Sequence, residues 1–112
     1  MPPVLEWDGL DEDAIHLLAL NLAGEAIGCA RLLAGGKLGR MAVLADWRGK
    51  GAGKALLQAA IAICRQHGWS NISLSAQTHA IGFYQQAGFV VYSEEYLDAG
   101  IAHCDMRLRL SA

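Results

Sequence analysis

The run Arg48-Gly49-Lys50-Gly51-Ala52-Gly53-Lys54 constrains this chain more than any other stretch. It stands between an apolar, strand-like segment (37–44) and an alanine-rich segment with helical spacing (51–67), so the chain must pass from strand through a glycine turn into helix at this point. Glycine at 49, 51 and 53 leaves the backbone bare, and its N–H groups can approach a ligand closely. The helix that follows directs the positive end of its dipole at the same place. Together these features make a site for a phosphate or diphosphate.

Two common phosphate loops fail on spacing. A Walker A loop needs Gly-x-x-x-x-Gly-Lys-Ser/Thr, but Arg48 stands where its first glycine belongs and Ala55 where its hydroxyl belongs. A dinucleotide loop needs Gly-x-Gly-x-x-Gly, and Lys54 or Leu56 falls at the third glycine. The pattern that does fit is Arg/Gln-x-x-Gly-x-Gly/Ala, read from Arg48 to Gly53.

The 112 residues suit one domain, 1–112, with a single core. With 54% hydrophobic and 18% charged residues, the composition is globular rather than disordered. The net charge is −2 and no basic tract runs along the chain, which argues against a nucleic-acid partner. No apolar run reaches ~18 residues, and the first residues lack the features of a signal peptide, so no membrane partner is expected. Cys29, Cys64 and Cys104 are odd in number and scattered. They form neither a disulfide framework nor a metal site, since Cys64 and His67 alone are too few ligands. A reducing, cytoplasmic setting follows as the expectation.

Residues 1–13 read as an irregular arm anchored by Leu5 and Trp7. Strands are expected over 14–20 and 26–34, joined through Gly24, and over 37–44, where Leu38, Arg40 and Ala42 alternate with Gly39, Met41 and Val43. Leu56, Ala59/Ala60 and Ile63 give the helix over 51–67, stopped by Gly68. A strand over 71–77, a short helix over 80–87 closed by Gly88, and strands over 89–92 and 101–110 complete the chain. Strand, helix, strand around the glycine loop implies a parallel pair, and the hairpins imply antiparallel ones. The expected fold is α/β (α+β): a mixed, mostly antiparallel sheet with a central parallel pair and flanking helices.

Residues 77–89 read Gln-Thr-His-Ala-Ile-Gly-Phe-Tyr-Gln-Gln-Ala-Gly-Phe. With the loop at 48–53, this segment resembles the paired motifs of the GNAT superfamily of N-acetyltransferases: Ala80, Phe83, Tyr84, Gly88 and Phe89 match, and Gln77 stands where many members have asparagine. The segment from Glu95 to His103 is similar to one found in the small ElaA-like bacterial branch, with Ala102 in place of a proline. Members usually carry a further strand and two helices ahead of the part that aligns with Leu5-Glu6-Trp7. The expectation is therefore a domain shortened at its N-terminus, with a second copy covering the exposed sheet edge as a homodimer.

The resemblance implies acetyl transfer from acetyl-CoA, as co-substrate, to a small-molecule or peptide primary amine by direct attack. Backbone amides of Gly49, Lys50, Gly51, Ala52, Gly53 and Lys54 would hold the diphosphate, with Arg48 adding charge. Met41, Ala42 and Val43 would pair with the pantetheine arm. His79, Ala80 and Phe83 fall beside the co-substrate, although Phe83 and Phe89 also read as core. Tyr84 occupies the general-acid position. A base is needed if the amine arrives protonated. His103, on the polar face of the last strand, is the first candidate, against the alternative of a hydrogen-bonded structural histidine. His16 reads as a core residue. Glu94, Glu95 and Asp98 are either contacts for a cationic amine or simply solvated. The alternative function is a CoA-binding module without turnover, or a subunit needing a partner chain.

Overall fold

The computed structural model describes residues 4–11 and 14–110. Its elements are β1 (Val4–Asp11), β2 (Ala14–Leu20), β3 (Ala26–Leu33), β4 (Lys37–Val43), α1 (Ala52–Gln66), β5 (Asn71–Gln77), α2 (Ile81–Gln86), β6 (Val90–Val91), β7 (Tyr96–Asp98) and β8 (Ile101–Arg109). Short 3-10 turns at Ala45–Trp47 and Thr78–Ala80 lead into the two helices. All strands join one sheet in the order β1-β2-β3-β4-β5-β8-β6, with β7 also on β8. The β4/β5 pair is parallel and the others are antiparallel, as the sequence implied.

The helix α1 crosses one sheet face. Its buried residues Ala52, Leu56, Leu57, Ala60, Ile63 and Cys64 form a single stripe. They meet Leu17, Ala30, Leu32, Leu38, Ile72, Leu74 and Met106 from the strands. Gly28 permits this approach: a Cβ there would stand 3.1 Å from Ala42 O and 3.2 Å from Leu56 Cδ1. The helix ends where Gly68 adopts φ 72°. Gly68 N–H then bonds Arg65 O at 3.1 Å and Trp69 N–H bonds Cys64 O at 3.0 Å, which satisfies carbonyls the last turn would leave open.

Three expectations are corrected. Val4–Asp11 is a strand paired with β2, not an irregular arm. Its composition, with acids and Gly9, hides the ladder, because strand formation depends on the neighbour it pairs with. A second short strand, β7, lies between the expected strands over 89–92 and 101–110. The alternation over 37–43 is also broken. Arg31 faces Arg40 while Leu32 faces Leu38, so Gly39 is the extra residue of a β-bulge. Leu38 is buried in the core, yet beyond the bulge it is Met41 and Val43 that pack inward and Ala42 that is exposed.

Candidate functional site

The bulge at Gly39 creates the site. β4 and β5 are paired only at Lys37 with Ser73 and Leu38 with Leu74. The bulged strand then bends away. The separation leaves a cleft of about 650 Å³ between the two strands. Leu38, Gly39, Met41, Ala42 and Val43 line it from β4, and Leu74, Ser75, Ala76 and Gln77 from β5. Arg48, His79, Ala80, Tyr84 and His103 complete its walls. Of the residues singled out in the sequence, the fold thus brings Met41, Ala42, Val43, Arg48, His79, Ala80, Tyr84 and His103 together.

The glycine loop continues from one end of this cleft. Gly49 and Gly51 have φ of 76° and 89°, a conformation that side chains other than glycine resist. A Cβ at either would meet nothing within 4 Å, so the space over the loop is open. Gly51 caps α1 without any side-chain hydrogen bond, and the helix's first turn carries no acid. The first turn of an α-helix leaves its amides without internal partners, so Ala52, Gly53 and Lys54 present N–H groups suited to an anion. Arg48 Nε donates to Val43 O at 3.3 Å and ties the loop to the end of β4. Lys50 Nζ lies 5.3 Å from the Trp47 ring centre. Residues 49–54 stand beyond the cleft lining, which reaches the loop at Arg48.

Phe83 does not line the cleft. A Cβ on Gly53 would lie 3.5 Å from its ring tip and 3.8 Å from Val43 Cγ2, so Phe83 packs over the first turn of α1. Its neighbour Tyr84 faces the cleft for a local reason. Gly88, at φ 99°, ends α2. Phe89 N–H then bonds Tyr84 O at 3.2 Å, and Gly88 N–H bonds Gln85 O at 3.0 Å. This terminus brings the residue after the glycine against the one five positions earlier. Phe89 is buried and meets Tyr84 edge-on at 5.8 Å. Phe83 holds the other side of the ring at 5.1 Å. The Tyr84 hydroxyl has no hydrogen-bond partner among the described residues and is not sealed off from solvent. Burial of the ring raises the phenol above its ordinary pKa of 10.0. It therefore keeps its proton at neutral pH.

On the β5/β8 side, His103 stands opposite Gln77. Its Nδ1 lies 2.7 Å from Ile101 O. A carbonyl only accepts, so Nδ1 carries the hydrogen and Nε2 keeps a lone pair in the neutral ring. His79 Nε2 and Gln77 Oε1 are 2.5 Å apart, which commits both side chains to each other. Tyr96 packs over His103 with ring centres 6.1 Å apart. Its hydroxyl bonds Asp105 Oδ1 at 2.5 Å and also Ser75 Oγ. The hydrogen bond to Asp105 is the main cause raising the Tyr96 phenol above 10.0. The acids singled out in the sequence, Glu94, Glu95 and Asp98, do not line the cleft. Sequence reasoning missed Ser75, Tyr96 and Asp105. The polar alternation Ser73, Ser75, Gln77 was the available signal for the first, and nothing local marks the contact between the other two. Among the described residues, no group of three or more His, Cys, Asp or Glu could hold a metal, and no helix is long and apolar enough to cross a membrane.

A family model described as an acetyltransferase (GNAT) domain matches residues 7–110. The N-acetyltransferase YjcF of Bacillus subtilis strain 168 is 37% identical over 111 residues, spanning 95% of this chain and 78% of that protein. Protein ElaA of Escherichia coli K12 is 31% identical over 110 residues, spanning 91% of this chain and 71% of ElaA. The crystal structure of an acyl-CoA N-acyltransferase from Pseudomonas aeruginosa superposes with a TM-score of 0.76 at 34% identity, covering 89% of this chain and 72% of that one.

Proposed function

The chain belongs to the GNAT acetyltransferases, and from that premise we propose that it moves the acetyl group of acetyl-CoA to a primary amine by direct attack. The observation that carries this reading is the open β4/β5 cleft with an uncapped helix N-terminus at one end and Tyr84 in its wall. Backbone donors and bare glycines fit a diphosphate at residues 49–54. Past Leu38, no β5 residue is in register with Met41, Ala42 or Val43, so the β4 edge facing the cleft is available to an extended amide-bearing arm.

Acetyl-CoA supplies an activated thioester, and the chain's own residues supply position, charge stabilisation and protons. The β4 main chain at Met41–Val43 orients the thioester and offers a donor to its carbonyl oxygen. Tyr84 holds a proton for the departing thiolate. With an ordinary thiol near ~8.5 and the phenol above ~10, that transfer is uphill by about 2 kcal/mol or more, so the hydroxyl acts as a hydrogen-bond donor first and a proton source second. His103 Nε2 accepts the proton that the attacking ammonium must lose, and the Ile101 carbonyl holds the ring in the required tautomer.

The test has two steps. Calorimetry should show acetyl-CoA binding at micromolar to sub-millimolar concentration with a matching rise in thermal midpoint. Thiol release across an amine panel should then show turnover. Absence of binding removes the whole reading. Binding without release on any amine would favour a CoA-binding module instead.

A further inference from the structure

Ser75 lines the cleft, and Tyr96 and Asp105 stand behind it in a hydrogen-bonded chain. Their hydrogen bonds have a fixed direction. A carboxylate only accepts, so the phenol proton of Tyr96 is committed to Asp105 at 2.5 Å. The remaining bond, between Ser75 and Tyr96, must then use the serine proton. The chain runs Ser75 O–H to Tyr96 O–H to Asp105, and Ser75 Oγ meets the cleft with lone pairs and no hydrogen. A negative charge at the far end polarises each bond and strengthens that acceptor.

The main chain that carries this carboxylate is also held. Asp105 N–H bonds Ser93 Oγ at 2.8 Å, and Asp105 O accepts from Tyr92 N–H at 3.0 Å. Arg107, next on the same face, lies over the Tyr92 ring at 4.8 Å and makes no ion pair with Asp105. His103, packed against Tyr96, adds Nε2 as a second proton-free acceptor on the same wall.

We infer that this wall is the acceptor subsite, and that it selects a primary ammonium on a chain without a carboxylate near the amine. The inference rests on the acetyl-transfer reading and names its substrate class. An ammonium offers three N–H donors to a wall of acceptors. A carboxylate at this wall would meet lone pairs backed by the like charge of Asp105.

Propylamine and β-alanine differ only by the carboxylate and are the probes. Thiol release by the wild type should favour propylamine in kcat/KM by about 10-fold or more. Asp105→Asn keeps the hydrogen-bond chain but removes its charge, and should bring that ratio within about 3-fold. Tyr96→Phe frees the Ser75 proton and should raise KM for propylamine about 10-fold with kcat and acetyl-CoA affinity unchanged. A merely structural role would not split KM from kcat in this way. A wild type that prefers β-alanine, or a ratio unmoved in both variants, overturns the inference while leaving acetyl transfer intact. If neither probe releases thiol, each is titrated by NMR onto wild type and both variants, with and without CoA. Tighter propylamine binding that the variants lose supports the subsite even though transfer has failed, and equal binding of both probes overturns it.

Discussion

The two edges of β5 behave oppositely. Toward β8 it is paired at every position from Asn71 to Gln77. Toward β4 it is paired at two positions and then abandoned. The closed edge spends its backbone groups on the fold, whereas the open edge leaves them for a ligand. A central strand in a parallel sheet is ordinarily satisfied on both sides. The difference shows that the cleft is a planned interruption of the ladder, set by a single extra residue at Gly39.

The short parallel contact is therefore the hinge of the comparison, and breaking it should have the largest effect. The Gly36 carbonyl accepts from Ser73 N–H at 2.8 Å just before the pairing begins. A Cβ on Gly36 would stand 2.2 Å from Asn71 O, and its φ is 98°. Gly36→Ala should destabilise the protein by about 3 kcal/mol or more, read as a lower denaturant midpoint. A cost under about 1 kcal/mol would mean that β4 does not need this approach to β5.

Next comes the chemistry that the open edge permits. Tyr84→Phe keeps both ring contacts and removes only the hydroxyl. It should lower kcat about 100-fold with acetyl-CoA affinity unchanged. Equal losses in both would assign Tyr84 to packing rather than proton supply.

A thiol lies beneath the same junction. Cys64 Sγ would be 3.7 Å from a Cβ on Gly36, and the side chain is fully buried. Burial pushes it from an ordinary 9.0 up to about 11. The folded state thus holds this proton more tightly than the unfolded chain does. The associated stability is complete below pH 9 and is lost as pH rises through about 11. Between pH 8 and 11 the wild type should lose about 2 kcal/mol more than Cys64→Ala. Identical losses would show that the thiol is not shielded by the junction. The smallest effect belongs to the exposed cation beside the loop. Lys50→Met should weaken acetyl-CoA binding by about 0.5 kcal/mol, far less than Gly51→Val, because the main chain rather than this charge holds the anion.

Much of the glycine loop and of the two helices was legible before the fold was known. Gly49 and Gly51 declare their backbone conformation by being glycine, and Gly68 and Gly88 mark where two helices stop. Helical spacing from Leu56 to Ile63 gave α1 nearly to its ends. The β5/β8 wall of the cleft was not legible in this way. Ser75, Tyr96 and Asp105 are distant in sequence and meet because β8 pairs with β5 on one side and β7 on the other. Strand β1 was hidden because its residues carry little alternation of their own.

Local sequence settled what depends on one residue and its near neighbours: the left-handed glycines, the helix stripe, and the tyrosine pinned between Phe83 and Phe89. Strand register settled the rest. Where β4 leaves β5, which of its faces turns inward after Gly39, and where the Ser75 proton is committed are consequences of pairings between segments far apart in the chain. Backbone propensity does not encode such pairings, since their free energy arises only when both strands and the core beneath them are in place.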